Sequence, residues 1–299
     1  MRVRFVSSLA RALGVMLPVL SFAPAALAAT FTVTNTNDSG AGSLRQALLD
    51  ANSTVGADTI SFAIPGAGVK TILPTSALPA VTERVTIDGW SQGGVGYLGS
   101  PLVEIDGANL LNVNGLEIGA SDCVIRGLCI NNFNVNPSSP SNGAGIKVRS
   151  GALRNTIFSC YIGVDPTGMT AKGNGQFGIW IDAGAENNRI GTDGNGARDT
   201  AERCIIGGTK RFHGVWILGN NNIVAGNYIG VGADGVTPVP NFFDGVMIQN
   251  SASGNRIGTD GSGANDANER NVISGNGQRG VAVVNAGAGN KIAGNYIGT

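Results

Sequence analysis

Short apolar runs of three or four residues, each closed by a turn, recur along the chain from about residue 143 onward. A Gly-φ-x-φ unit, with φ apolar, appears as Gly145-Ile-Lys-Val, Gly178-Ile-Trp-Ile, Gly214-Val-Trp-Ile, Gly245-Val-Met-Ile and Gly280-Val-Ala-Val. About ten residues later an asparagine opens a second run, at Asn155, Asn188, Asn222, Asn255 and Asn290. The period is about 33 residues. Alternation within each run predicts a strand, and a fixed period of this length predicts a stacked repeat architecture. A longer period of about 67 residues is superimposed: Asn188-Arg-Ile-Gly-Thr-Asp-Gly returns as Asn255-Arg-Ile-Gly-Thr-Asp-Gly, and Tyr-Ile-Gly returns at Tyr161, Tyr228 and Tyr296. Two kinds of coil therefore alternate. One carries its loop after Tyr-Ile-Gly, the other after Asn-Arg-Ile-Gly.

Three short strands per coil, without an Asn-Gly or Asp-Gly pair at hairpin spacing in each repeat, do not build a hairpin sandwich. A parallel β-solenoid satisfies the pattern. Each strand pairs with its equivalent one coil away, at about 4.8 Å, and inward Ile, Val and Leu stack into columns. Asparagines at the bends can bond the amides above and below, as in cross-strand Asn ladders. Glycines beside them are expected to supply positive φ at the corners.

The first part of the chain is organised differently. Residues 29–62 read as an N-terminal cap. Phe31-Thr-Val-Thr alternates like a strand, and Asp58-Thr-Ile-Ser-Phe does so again. Between them Ser43-Leu-Arg-Gln46 has the form of a capping box, in which Gln46 would reach back to the cap. A helix over about 44–51 follows, with Leu44, Ala47, Leu48 and Ala51 on one face. Residues 63–142 read as irregular coils and 143–299 as regular ones.

Composition narrows the function classes. Of 299 residues 47 are glycine, the net charge is zero, and charged residues are 13%, against about 25% in ordinary globular domains. Zero net charge argues against nucleic acid as a partner, which needs a basic face to displace counterions. Residues 1–28 have the form of an export signal: Arg2, Arg4 and Arg11, an apolar stretch from Ala12 to Phe22 marked by Pro18, and Ala26-Leu27-Ala28 as a small-x-small cleavage site. That run is too short to span a membrane comfortably, and no later segment could cross one. The expected location is extracellular or on the cell surface.

Four cysteines remain, Cys123, Cys129, Cys160 and Cys204. An exported protein could pair them. The repeat favours a blander role, with Cys123 and Cys204 in the place of the first Asn of the phrase and Cys160 in that of the second. No Cys-x-x-Cys pair exists and His213 is the single histidine, which argues against a zinc site.

The segments Thr32-Val-Thr-Asn-Thr-Asn-Asp-Ser-Gly-Ala-Gly-Ser-Leu-Arg-Gln-Ala, Gly56-Ala-Asp-Thr-Ile-Ser-Phe, Val85-Thr-Ile-Asp-Gly and Pro101-Leu-Val-Glu-Ile-Asp-Gly resemble the start of large bacterial exported proteins with right-handed parallel β-helix repeats. Asn290-Lys-Ile-Ala-Gly-Asn-Tyr-Ile-Gly and Asn271-Val-Ile-Ser-Gly-Asn resemble their repeats. The resemblance covers essentially all of residues 29–299. It implies the pectate-lyase-like fold: an all-β, right-handed parallel β-helix with a short N-terminal capping helix. It implies little about activity, because the fold hosts many functions.

Polysaccharide-cleaving members of that superfamily use clustered carboxylates, and the galacturonan hydrolases show Asp-Asp, Gly-His-Gly and Arg-Ile-Lys. Here no Asp-Asp pair occurs, His213 lies in Phe212-His-Gly, and Arg189-Ile and Arg256-Ile are followed by Gly. The expectation is therefore no catalytic residue, with a lyase, hydrolase or epimerase as the alternative. Asp193, Asn195 and Asp199, and in register Asp260 and Asp266, offer hard oxygen ligands for Ca²⁺ but lack the sixth-position Gly and twelfth-position Glu of an EF-hand loop. Asx turns with a salt bridge to Arg198, Arg203 or Arg270 are the favoured explanation, and Ca²⁺ the weaker one. No other cofactor is expected.

The sharpest candidate is the x column of Gly-φ-x-φ. If both φ residues point inward, Lys147, Trp180, Trp216 and Met247, with Ala282, point outward on one face. Two tryptophans on neighbouring coils could stack on sugar rings or meet a protein partner. Alternatively, loops 164–177 and 231–243 fold over them as an internal cover. The expected function is a surface-exposed structural or adhesive β-helix with a polysaccharide or protein partner. The chain stops at Gly294-Asn-Tyr-Ile-Gly-Thr299, a phrase that earlier coils follow with a loop and a strand, so further coils are expected beyond it.

Overall fold

The computed structural model describes Met1, Val3 and residues 27–138 and 141–298. The expected export signal lies almost wholly outside these residues. The described chain is predominantly β, in three parallel sheets of nine, eight and six strands. From Leu116 onward the chain visits the six-, nine- and eight-stranded sheets in turn. One circuit runs through Ile146–Val148, Thr156–Phe158 and Tyr161–Ile162, and the next through Ile179–Ile181, Arg189–Gly191 and Ile205–Ile206. Each strand pairs in parallel with its equivalents one coil before and one coil after. Long parallel stacks of this kind are consistent with a parallel β-helix.

The register converts the apolar pattern into columns. On the nine-stranded sheet Ile60, Ile87, Ile125, Ile157, Ile190, Val224 and Ile257 lie in line. On the eight-stranded sheet Ile72, Ile105, Ile130, Ile162, Ile206, Ile229 and Ile273 do the same. These side chains are buried in one continuous core. The six-stranded sheet begins only at Leu116–Ile118, so the third side of the earlier coils is irregular.

Helix α1 spans Leu44–Ser53, two residues beyond the expected end. Its Leu44, Ala47, Leu48 and Ala51 join the core beside Val33 and Ile60. The capping box is half formed. Ser43 Oγ accepts from the Gln46 N–H, but the Gln46 amide turns forward and donates to Asp50 Oδ1, while the Ser43 N–H is taken by Gly40.

Two asparagine ladders run along the molecule, one at the start of each of the two larger sheets. In the first, the N–H and Nδ2 of Asn155 both donate to Asn188 Oδ1, at 2.9 and 3.0 Å. Asn188 repeats this onto Asn222, Asn222 onto Asn255, and Asn255 onto Asn290. Cys123 heads the column, its N–H donating to Asn155 Oδ1. The second ladder runs from Cys204 through Asn227 and Asn271 to Asn295, and the Ile205 N–H ties it to Cys160 O. Cys204 thus belongs beside Cys160, not on the first ladder. Its strand Ile205–Ile206 lies in the eight-stranded sheet, which the similar spelling of the two phrases conceals.

The glycines do two kinds of work. Those opening Gly-φ-x-φ are needed for close approach. A Cβ on Gly178 would fall 2.5 Å from Gly214 O and 2.7 Å from Ile206 Cγ2. Those beside the ladder asparagines supply positive φ, as expected, at the residue just before the step. Glycine takes it at Gly226, Gly254, Gly289 and Gly294, but Asp122, Arg154, Asn187 and Asn221 take it without glycine, at the strain cost of the left-handed region.

The ladder is predicted to carry much of the stability. Asn222→Ala removes the acceptor of two buried donors on Asn188, which costs about 1–3 kcal/mol. Urea unfolding should show a lower midpoint, and an unchanged midpoint would contradict the ladder's role.

Candidate functional site

The outward column of the six-stranded sheet forms in the expected register. Lys147 lies beside Trp180, Trp180 beside Trp216, Trp216 beside Met247, and Met247 beside Ala282. The indole centroids of Trp180 and Trp216 are 5.2 Å apart at 38°. Lys147 Nζ sits 3.7 Å from the Trp180 ring centroid and 3.4 Å from Asp182 Oδ2, a cation–π contact that occupies one indole face. Met247 does not contribute to an open surface. It is only 7% exposed, because the register lays it between the larger Trp216 and Ala282, where the indole shields it.

Neither of the two arrangements expected of loops 164–177 and 231–243 holds in full. Their bodies cover the eight-stranded sheet, where Val164, Val239 and Ile205 form a small core with Tyr161 and Tyr228. Antiparallel bridges Val164↔Ala171 and Val231↔Pro238 close them. Only Phe177, the last residue of the first loop, reaches the tryptophans, while Phe243 at the end of the second packs against Phe212 and His213. Phe177 stacks on Trp216 with centroids 4.5 Å apart and lies 5.4 Å from Trp180. Phe212 stacks on Phe177 in turn at 5.4 Å.

What remains open is a groove of ≈ 510 Å³ along this cluster. Phe177, Trp180, Phe212, His213 and Trp216 line it, and the amides of Asn142, Gln176 and Gln249 border them. Trp216 Nε1 donates to Gln249 Oε1 at 3.3 Å. Both tryptophans are half-buried, so each gives the groove part of its ring.

Behind the groove lies a chain of polar groups that strand patterns do not reveal. His213 Nδ1 is 3.1 Å from Asp244 Oδ2. Asp244 is fully buried, and its Oδ1 accepts from Arg279 N and Nε at 3.1 and 2.9 Å. Oδ2 makes no hydrogen bond, whereas the buried Asp244 N–H donates to His213 Nδ1 at 3.4 Å. With Nδ1 accepting, the proton of the neutral imidazole sits on Nε2. Burial pushes the imidazole pKa below its ordinary value, against the pull of Asp244. Phe177, His213, Asp244 and Arg279 share one signal, since each directly precedes the glycine of Gly-φ-x-φ. They form a column whose residue type changes at every coil.

The acidic loops do gather carboxylates. Asp193, Asp199 and Glu202 bring ligand atoms within 4.8 Å of one another, as do Asp260, Asp266 and Glu269. Asn195 donates from Nδ2 to Asp193 Oδ2 and accepts from the Ala197 N–H on Oδ1, as part of an Asx turn. Each glutamate is already engaged. Glu202 Oε2 lies 3.6 Å from Arg189 and accepts from the Asp193 N–H. Glu269 accepts from Arg256 at 2.8 Å and from the Asp260 N–H at 2.9 Å. The bridging arginines are therefore Arg189 and Arg256, rather than Arg198, Arg203 or Arg270. They extend outward from the strand beneath each loop, while Arg203 and Arg270 lie over Tyr228 and Tyr296. The two loops also grip each other, through Asn268 to Asp199 and Asn265 to Gly194.

The four thiols are free and buried, and burial pushes Cys160 up to about 12, far from a reactive thiolate. Glu104 is nearly as buried. Burial alone would raise its pKa, but hydrogen bonds from Asn131, Lys172 and Thr71 outweigh that and hold it below the usual range. Among the described residues no helix is long and apolar enough to cross a membrane. A scan against protein-family models and a search of curated proteins find no match to the chain.

The loop geometry predicts a stabilising role for the arginines. Arg256→Ala leaves the buried Glu269 carboxylate without its cation and should lower the melting temperature, because a broken buried pair is strongly destabilising. Chelator should leave the wild-type melting temperature unchanged. A rise on adding Ca²⁺, reversed by chelator, would assign the loops to a cation instead.

Proposed function

We propose that the chain is an exported, surface-exposed, right-handed parallel β-helix of the pectate-lyase-like superfamily that serves as an adhesive surface and binds glycan along the aromatic groove. The handedness follows from the strong preference of parallel crossover connections, together with the resemblance of residues 32–47 and 85–107 to β-helix proteins. The observation that carries the binding reading is the Trp180–Trp216 pair, two indoles 5.2 Å apart on successive coils at the edge of an open groove. Aromatic rings with polar rims recognise the mixed apolar and hydroxylated faces of sugars. Amides at the border add directional hydrogen bonds without charge.

A second reading, a polysaccharide lyase, hydrolase or epimerase, is favoured by one observation: His213 faces the groove with Asp244 behind it, an arrangement suited to moving a proton. The groove lining itself holds no carboxylate, which favours binding over cleavage.

Retention on immobilised glycans tests the reading. Trp180→Ala and Trp216→Ala should each weaken retention roughly tenfold, with the fold intact by circular dichroism. Retention unchanged in both variants would remove the groove from the function. Incubation with pectin and alginate should release neither unsaturated nor reducing ends; release would establish the second reading.

A further inference from the structure

The residues around the groove also define the chemistry of its ligand, and this step rests on the glycan-binding reading above. We infer that the groove takes an uncharged polysaccharide, with His213 Nε2–H donating to a ring hydroxyl, and that it discriminates against polyuronates.

No lining side chain carries a formal charge while His213 is neutral; the polar members are amides, Ser141 and the imidazole. The nearby charges are committed elsewhere. Lys147 lies over the Trp180 ring and against Asp182. Arg279 is held by Asp244, which is itself fully buried behind His213. A uronate carboxylate entering the groove would lose water and meet no cation among the lining residues in exchange, which is costly for a charge.

The hydrogen-bonding inventory consists of neutral groups. The Asp244 N–H donates to His213 Nδ1, so the neutral imidazole carries its proton on Nε2. Gln249 uses its Oε1 on Trp216, which leaves its amide N–H groups for a ligand. The groove thus offers neutral donors. A ring hydroxyl accepts from them at little desolvation cost; a carboxylate would accept too, but would gain no opposite charge for the water it loses. The charged groups facing His213 are Asp244 and Arg279, both from later coils, while the earlier coil contributes the uncharged Phe177. Burial holds the imidazole neutral against Asp244, so it supplies no cation near neutral pH.

The test is titration calorimetry of the full chain with two ligand sets at neutral pH: neutral oligosaccharides (gluco-, manno-, galacto- and xylo-oligomers) and oligouronates from pectin and alginate. The wild type is compared with Trp216→Ala and His213→Asn. An asparagine amide oxygen can still accept from the Asp244 N–H, but the side chain has no atom at the Nε2 position, so His213→Asn separates the donor from the support of the fold. The expected result is binding of at least one neutral oligomer and no oligouronate, weakened roughly tenfold in Trp216→Ala and roughly fivefold in His213→Asn, with melting temperature unchanged in the latter. Oligouronate binding that requires Trp216 would overturn this inference and leave the glycan-binding reading standing. Neutral binding indifferent to His213→Asn would overturn the assigned donor. Absence of binding to either set by the wild type would overturn both.

Discussion

The parallel pairing of each strand with its equivalent one coil away is the constraint on which everything else depends. A backbone in this arrangement satisfies its N–H and C=O groups only through the coils on either side, and a buried unpaired group is costly. The asparagine ladders enforce that pairing at the bends, where no strand partner exists. Each Oδ1 accepts from both the N–H and the Nδ2 of the coil before. A slip of one residue would break every rung and turn every Ile column outward. The left-handed conformations of Arg154, Asn187 and Asn221 are tolerated because the ladder over-determines the corner beside them.

A lattice of columns also decides where chemistry can appear. A residue type that repeats in register, such as Asn188 and Asn222, stabilises the stack. A position whose residue type changes from coil to coil is free to build a site. The column Phe177, His213, Asp244, Arg279 is of this second kind, and so is Lys147, Trp180, Trp216, Met247. The second lies on the six-stranded sheet and the first just before its strands, and the groove forms along both. The acidic loops belong to the first kind: they repeat every second coil and grip one another.

Much of this was legible before any coordinates. The apolar period determines the coil, and Gly-φ-x-φ places Trp180 beside Trp216 with no ambiguity of face. Three things were not legible. The ladder that Cys204 joins is ambiguous in the sequence, because Asn-x-Ile opens strands on two different sheets; its likeness to Asn271-Val-Ile-Ser is the comparison that the register supports. The path of the loops after Tyr161 and Tyr228 depends on where Val164 and Val239 find apolar surface, which is Ile205 on the eight-stranded sheet and not the tryptophans. His213, Asp244 and Arg279 were invisible as a set because a non-repeating column has no signature until the coils are aligned on the glycine that follows it.

The register is the central claim, and a distance along one outward column tests it most directly. Thr156 pairs with Arg189, and Arg189 with Ile223, on consecutive strands of the nine-stranded sheet. Nitroxide labels on Thr156→Cys and Ile223→Cys would then be two strand spacings apart, about 10 Å at the backbone. Strong dipolar broadening of the frozen-state spectrum is the result that the ladder register requires. A spectrum equal to the sum of the two singly labelled proteins would contradict it.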